Sequence, residues 1–190
     1  MSRSEELEHA ALSPNEASIP AYLTQRRSGL CWGLMNQLRV RWIDMQMQTL
    51  RRMDKFAERL GRGPRTAPHL ATGLRGESEA LFELRKRGYI IVARRWKSTK
   101  LRGDIDLIGW EGDCLCFIEV KTRSMRDAIP AMFAVDKDKQ QMLHKMARAW
   151  LRSFSEKDRR NIQVRFDVVS VYLLPSGTEF EVLKGAFGWA

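Results

Sequence analysis

The chain has 190 residues, 44% of them hydrophobic and 29% charged, with 33 Lys and Arg against 23 Asp and Glu, giving a formal net charge of +10. That is enough chain for one cored domain with an appendage, and enough positive charge to make a polyanion the first partner to consider. Three cysteines with neither disulfide nor metal spacing, a polar and acidic start, and no long uncharged apolar run argue against a disulfide scaffold, a signal peptide or stable membrane insertion, and point to the cytoplasm.

Residues 1 to about 27 are rich in Ser, Glu, Pro and Ala and carry few large apolar groups. A long helical pattern follows from about Gly29 to Leu60, with Leu34, Leu38, Trp42, Met45, Met53, Phe56 and Leu60 near one stripe and arginines over much of the rest. The stripe predicts a packing face, with a membrane-surface or partner-binding helix as the other reading. The stretch Gly61-Arg62-Gly63-Pro64-Arg65-Thr66-Ala67-Pro68 reads as a linker, so the chain divides into an extension over 1–72 and a domain over 73–190.

The domain opens with a helix predicted from about Gly73 to Arg87, capped by Gly88. Counting by turns puts Glu77 on the stripe of Ala80, Leu81 and Leu84, with Glu79 and Glu83 toward water. A Glu there is either a partner for the helix dipole or an acid aimed into a site. The β-branched and aromatic run Tyr89–Ala93 reads as a buried strand. The segment after it carries Arg94, Arg95, Trp96, Lys97, Lys100 and Arg102, and cations around an exposed Trp suit phosphate contact and base stacking as well as they suit a solvated loop.

Next comes a hairpin, with strands Gly103–Trp110 and Cys114–Thr122 joined through Glu111-Gly112-Asp113. Side chains alternate along a strand, so Leu115, Phe117, Glu119 and Lys121 share one face, and Cys114, Cys116, Ile118 and Val120 the other. With Gly112 and Asp113 as the two loop residues, Asp106 falls opposite Glu119, and Asp104 opposite Lys121. Opposed carboxylates with Cβ atoms roughly 5 Å apart repel unless one is protonated or a cation lies between them. Their hard oxygens suit Mg²⁺ or Mn²⁺, and a lysine beside such an ion can position a nucleophile or stabilise charge on a phosphate. A solvated hairpin end with Asp104 and Lys121 paired is the plainer reading.

Beyond Arg123, a loop containing Pro130 leads to Asp136 as N-cap of a helix over about Lys137–Phe154, with Met142, Leu143, Met146, Ala149, Trp150 and Phe154 inward. Lys139, Gln140 and Lys145 lie near its start, solvent-facing by default but within reach of a substrate. His144 stands alone, with no catalytic pattern around it. A loop at Ser155–Asn161 precedes a strand from Gln163 to Leu174, in which Arg165 and Asp167 share a face and are expected to pair structurally. A last strand is predicted near Thr178 to Leu183.

Helix, strand, acidic hairpin, helix and strand, with Glu77, Asp106, Glu119, Val120 and Lys121 along them, resemble the PD-(D/E)XK nuclease superfamily. Within it, the chain closely resembles the bacterial YraN family, which is related to archaeal Holliday-junction resolvases. The resemblance rests on Gly76-Glu77 with Ala80, Gly88-Tyr89, Gly103-Asp104-Ile105-Asp106-Leu107-Ile108, Phe117-Ile118-Glu119-Val120-Lys121-Thr122-Arg123, Lys139, Arg165-Phe166-Asp167-Val168-Val169 and Lys184-Gly185-Ala186-Phe187. It covers about Gly73 to Ala190. It implies an α/β (α+β) fold with an αβββαβ core, a mixed central sheet flanked by helices, and an N-terminal helical extension outside the family pattern. It further implies Asp106, Glu119 and Glu77 as metal ligands and Lys121 as catalytic lysine. Two departures stand out: Asp104 where the family usually has Glu, and Arg95 near where it usually has Asn.

The expectation is a Mg²⁺- or Mn²⁺-dependent DNA endonuclease, with branched DNA among its candidate substrates, that meets nucleic acid through Arg94, Arg95, Trp96, Lys97, Lys100, Arg102, Arg123 and Lys139. A homodimer is left open. The competing expectations are a catalytically silent nucleic-acid-binding module of the same fold, and a membrane-associated or scaffold protein working through the N-terminal helix.

Overall fold

A computed structural model of the chain describes residues 40–49, 52, 53, 56, 68–125 and 135–189. Of the N-terminal stripe, Leu34, Leu38 and Leu60 lie outside these residues, as do most of the linker and the loop around Pro130.

Eight elements follow one another from Pro68. Helix α1 (Pro68–Lys86) leads into β1 (Ile90–Trp96), β2 (Ile105–Glu111) and β3 (Cys114–Arg123). Helices α2 (Lys137–Leu151) and α3 (Glu156–Asn161) then precede β4 (Gln163–Leu174) and β5 (Gly177–Phe187). The five strands form one sheet in the order β1-β2-β3-β4-β5, antiparallel except for the parallel pair β3–β4. A parallel neighbour needs a crossover, and α2 and α3 lie in that connection. The outcome is the mixed α+β architecture expected, compatible with a nuclease-like core.

Several boundaries differ from the sequence reading. Helix α1 starts five residues before Gly73, because Pro68 suits a first helical turn that needs no N–H donor there. It ends as read: Gly88 has φ +101°, its N–H donates to Arg85 O at 3.2 Å, and Tyr89 N–H donates to Leu84 O at 3.0 Å. That paired closure is a Schellman cap, and the Tyr89 and Leu84 side chains join the same core. Strand β1 runs on through the basic segment to Trp96, and α2 stops at Leu151. The predicted loop at Ser155–Asn161 holds the short helix α3, whose N-cap Ser155 accepts from Asp158 N. Strand β4 has the predicted bounds, and β5 extends further, to Phe187.

Each face of the sheet carries its own core. One face packs Leu115, Phe117, Phe166 and Val168 with Leu143, Met146 and Trp150 of α2. The other packs Cys116, Ile118, Val120, Val169 and Val171 with Ala80, Leu81 and Leu84 of α1. Burial of both faces accounts for the apolar run on both sides of β3. Residues 40–49 are helical as well, and Ile43, 2% exposed, joins the α1-side core with Met47 beside it. Asp44 forms an ion pair with Lys86. The predicted packing stripe is therefore displaced. Trp42, Met45, Met53 and Phe56 are all more than half exposed, and the buried contact falls on the neighbouring Ile43 and Met47 line. No helix among the described residues is long and apolar enough to cross a membrane.

At one end of the sheet, Arg165 Nε donates to Asp167 Oδ1 at 2.7 Å, and its guanidinium also reaches Glu111, Tyr89 Oη and Cys116 Sγ. Asp167, 1% exposed, accepts in addition from Gly185 N and Tyr89 Oη. A buried carboxylate is tolerated when its oxygens are filled in this way. The predicted Arg165–Asp167 pairing is thus present, inside a larger network. His144 is buried against Phe166, Phe187 and Trp189, and its Nε2 donates to Gly188 O at 2.8 Å.

Candidate functional site

The hairpin turn decides which acids meet. Glu111 pairs with Cys114 across Gly112 and Asp113, and Gly112 takes φ +57°, which glycine adopts without a Cβ penalty. The ladder then runs in the predicted register down to Leu107 opposite Ile118. One step further, where Asp106 and Glu119 come level, a side-chain bond replaces the ladder: Asp106 Oδ2 accepts from Val120 N at 2.7 Å.

Glu119 is 4% exposed and has a lysine at each oxygen. Lys121 Nζ donates to Oε1 at 3.0 Å, and Lys139 Nζ, from the first turn of α2, lies 3.0 Å from Oε2. The second contact is an ion pair without hydrogen-bond alignment, since Oε2 has no aligned donor. The N-cap sets the position of Lys139, because Asp136 Oδ1 accepts from Lys139 N at 2.8 Å. Burial pulls Lys139 down, but the charge and contact of Glu119, with Asp106 and Asp104 behind it, hold it above its ordinary value.

Asp106 is pushed up to about 7, first by burial and then by the charge of Glu119, against the Val120 bond and Lys139. Glu77 comes from α1 on the other side of the sheet. Burial raises it, Arg95 and Arg94 oppose the rise, and Asp104 and Glu119 add to it. Its Oε2 is buried without a hydrogen-bond donor, 3.8 Å from Arg95 Nε. Arg95 holds φ +46°, in the left-handed region, which a non-glycine residue occupies at a cost.

Glu77, Asp104, Asp106, Glu119, Lys121 and Lys139 therefore share one electrostatic neighbourhood at the end of the hairpin. Asp104 precedes β2 and does not take Lys121 as partner; Glu119 does. Lys139, expected on the nucleic-acid surface, is tied to the acids. The donor set suits a hard divalent ion in kind: carboxylate oxygens only, with buried atoms of Glu77 and Glu119 lacking a donor. Asp106 and Glu119 are the pair that would hold it. Among the described residues, no three Asp, Glu, His or Cys side chains are gathered closely enough to enclose an ion.

The expected nucleic-acid residues separate into groups. Arg94, Lys97, Lys100 and Arg102 are exposed, with Arg94 also donating to Ser78 Oγ at 3.3 Å. Arg95 faces Glu77, and Arg123 is half-buried. Trp96 is not an exposed stacking platform: it packs edge-on against Trp150, ring centroids 5.2 Å apart. Glu79, expected in water, is 4% exposed. Sequence reasoning missed how close α1 comes to β3. A Cβ on Gly76 would lie 1.8 Å from Thr122 Oγ1, and the signal for it was a glycine inside a helix next to the candidate acid Glu77.

A family model described as "Uncharacterised protein family UPF0102" matches residues 76–171. A UPF0102 protein of Koribacter versatilis (strain Ellin345) is 48% identical over 124 residues, covering 65% of this chain and 84% of that protein. Another from Solibacter usitatus (strain Ellin6076) is 42% identical over 112 residues, covering 59% of this chain and 82% of its own length. A third, from Dictyoglomus thermophilum, is 41% identical over 118 residues and is covered over 95% of its length. The matched stretch spans the hairpin, both acid-bearing strands and the part of α1 that carries Glu77, and the chain belongs to the UPF0102, or YraN, family.

Proposed function

We propose that this protein is a metal-dependent nuclease that hydrolyses phosphodiester bonds in DNA, with Asp106, Glu119 and Lys121 at the centre and Glu77 as an accessory acid. The observation that carries this reading is a carboxyl buried beside another: burial first, and the charge of Glu119 second, lift Asp106 to about 7, while Lys121 Nζ sits 3.0 Å from Glu119 Oε1. Like charges held together at one place are what a cationic ligand would relieve. A divalent ion on Asp106 and Glu119 would supply Lewis acidity toward a phosphate oxygen and a bound water of lowered pKa.

The chain's own groups supply the rest. Asp106 Oδ2 is committed to Val120 N, which fixes the carboxyl and leaves Oδ1 to accept a proton near neutral pH. Lys121, a third exposed on the strand end, can turn its ammonium from Glu119 toward an incoming phosphate. Lys139 balances the charge of Glu119 from the opposite side. The net charge of +10 favours a polyanionic substrate.

A second reading, the catalytically silent binding module, is favoured by one feature: the two lysines already balance Glu119. Incubating the chain with linear and branched DNAs and Mg²⁺ or Mn²⁺, beside Glu119→Ala and Lys121→Ala, separates the two. The nuclease reading expects metal-dependent products that both variants lose. Binding without products supports the silent module. Products that persist in both variants would overturn the site.

A further inference from the structure

Between the β1–β2 connection and α2 lies a groove of about 290 Å³ that no step above uses. One wall is the β1–β2 connection, with Lys100, Leu101 and Arg102; the other is the exposed side of α2, with Asp138, Gln141, Met142 and Lys145. Gly103 holds the walls together. Its φ is +101°, which side-chain-bearing residues rarely adopt, and a Cβ there would lie 2.6 Å from Met142 Sδ, so the loop rests on the end of that flexible side chain.

Three cations face one acid among its lining residues, and each wall is followed within two residues of sequence by a member of the acid neighbourhood. Arg102 is two residues before Asp104, whose charge reaches Glu77 and Lys139. Asp138 directly precedes Lys139, the partner of Glu119. A strand whose phosphate lay at Asp106 and Glu119 would carry further phosphates on either side, and cations on a groove wall are what hold such phosphates. Leu101 and Met142 give the floor an apolar strip suited to a sugar face.

We infer that this groove binds a sugar–phosphate unit of the nucleic-acid strand that flanks the phosphate held at the acids, with Arg102 and Lys145 as its clamps. The inference rests on the nucleic-acid reading above. It adds Lys145 and Gln141 as contacts and gives Lys100 and Arg102 a place distinct from diffuse surface charge.

The test is fluorescence anisotropy of a labelled oligonucleotide with the full chain in EDTA, so that cleavage plays no part. The Arg102→Ala/Lys145→Ala variant should weaken binding about tenfold or more and lower the salt slope by roughly one for each cation removed. Lys157→Ala, which removes an exposed cation from α3, should change it less than about twofold. Asp138→Asn, which removes the one acid in the groove, should strengthen binding. Equal, small effects from Arg102, Lys145 and Lys157 would overturn the groove while leaving nucleic-acid binding in place. Displacement of the oligonucleotide by inorganic phosphate at matched ionic strength would also overturn it, as the mark of a small-anion site. If the wild-type chain binds no nucleic acid, both the groove and the proposed function fall.

Discussion

Gly76 of α1 and Thr122 of β3 are in contact so close that any side chain on the helix residue would overlap the threonine: a Cβ would sit 1.8 Å from Oγ1 and 2.7 Å from Cβ. The contact draws the helix onto the strand one residue before Glu77, and so sets how far that acid reaches toward Asp106 and Glu119. Gly76→Ala should cost about 2 kcal/mol, because the clash outweighs alanine's better helix propensity. Thr122→Ala should return part of it, since the hydroxyl is gone but the strand Cβ remains. Urea melts of both single variants and the double variant measure the coupling; additive effects would mean the helix does not rest on Thr122.

Asp106 gives the molecule a pH dependence of unusual sign. Its pKa in the folded chain, about 7, lies above the ordinary 3.8, so between those values the folded chain binds a proton that the unfolded chain releases. Its contribution to stability therefore falls as pH rises through that window, and the penalty is complete above pH 7. Asp106→Asn keeps an acceptor for Val120 N and removes the charge. It should raise stability by about 2 kcal/mol at pH 8 and by little at pH 4 in metal-free buffer. Thermal melts across pH check this, and an equal gain at both ends would show that charge is not the cause.

The same substitution tests the ion. Mn²⁺ titrated calorimetrically into the wild-type chain should bind, and Asp106→Asn should reduce the affinity at least about tenfold. Indistinguishable isotherms would remove Asp106 from the donor set.

Arg95 occupies a left-handed conformation that asparagine takes more readily. Arg95→Asn should relieve about 1 kcal/mol of backbone cost while removing the cation 3.8 Å from Glu77. Glu77 should then titrate higher still, as an NMR titration of its carboxyl would read. A chain destabilised by the change would show that the Arg95–Glu77 contact outweighs the strain.

Ile43 bears on the boundary placed between 72 and 73. Being 2% exposed within the α1-side core, it ties the N-terminal helical residues to the domain. Ile43→Ala should cost about 2–4 kcal/mol. A chain starting at Gly73 also lacks the first turn of α1, and should melt lower than the full chain by more than Ile43→Ala does. An unchanged melting temperature for either would restore a separable extension.

The hairpin register, the Asp136 cap, the Gly88 helix end and the Arg165–Asp167 pair were legible because each is fixed within a few residues of sequence. A two-residue loop admits one alignment, and a cap is a local bond. Glu79, Trp96 and the Trp42 stripe were misread for a shared reason. Their environments come from distant chain: Trp150 covers Trp96, and the α1-side core takes Ile43 rather than Trp42. Periodicity names the sides of a helix, but the partner decides which side is buried. Lys139 was legible as a cation near the site, and not as the partner of Glu119, since α2 meets β3 only in the folded chain.

The network around Arg165 bears on how the strands find their alignment. It joins Tyr89 beside β1, Glu111 of β2, Asp167 of β4 and Lys184 and Gly185 of β5, positions scattered over most of the domain's length. Slipping β4 by one residue would turn Arg165 and Asp167 through to the opposite face, among Phe117, Met146 and Trp150, where neither charge would find these partners. A mispaired sheet is therefore penalised by several kcal/mol of uncompensated buried charge. These residues act as a proofreading device during folding, rejecting the slipped sheets that a β4 rich in valine would otherwise accept.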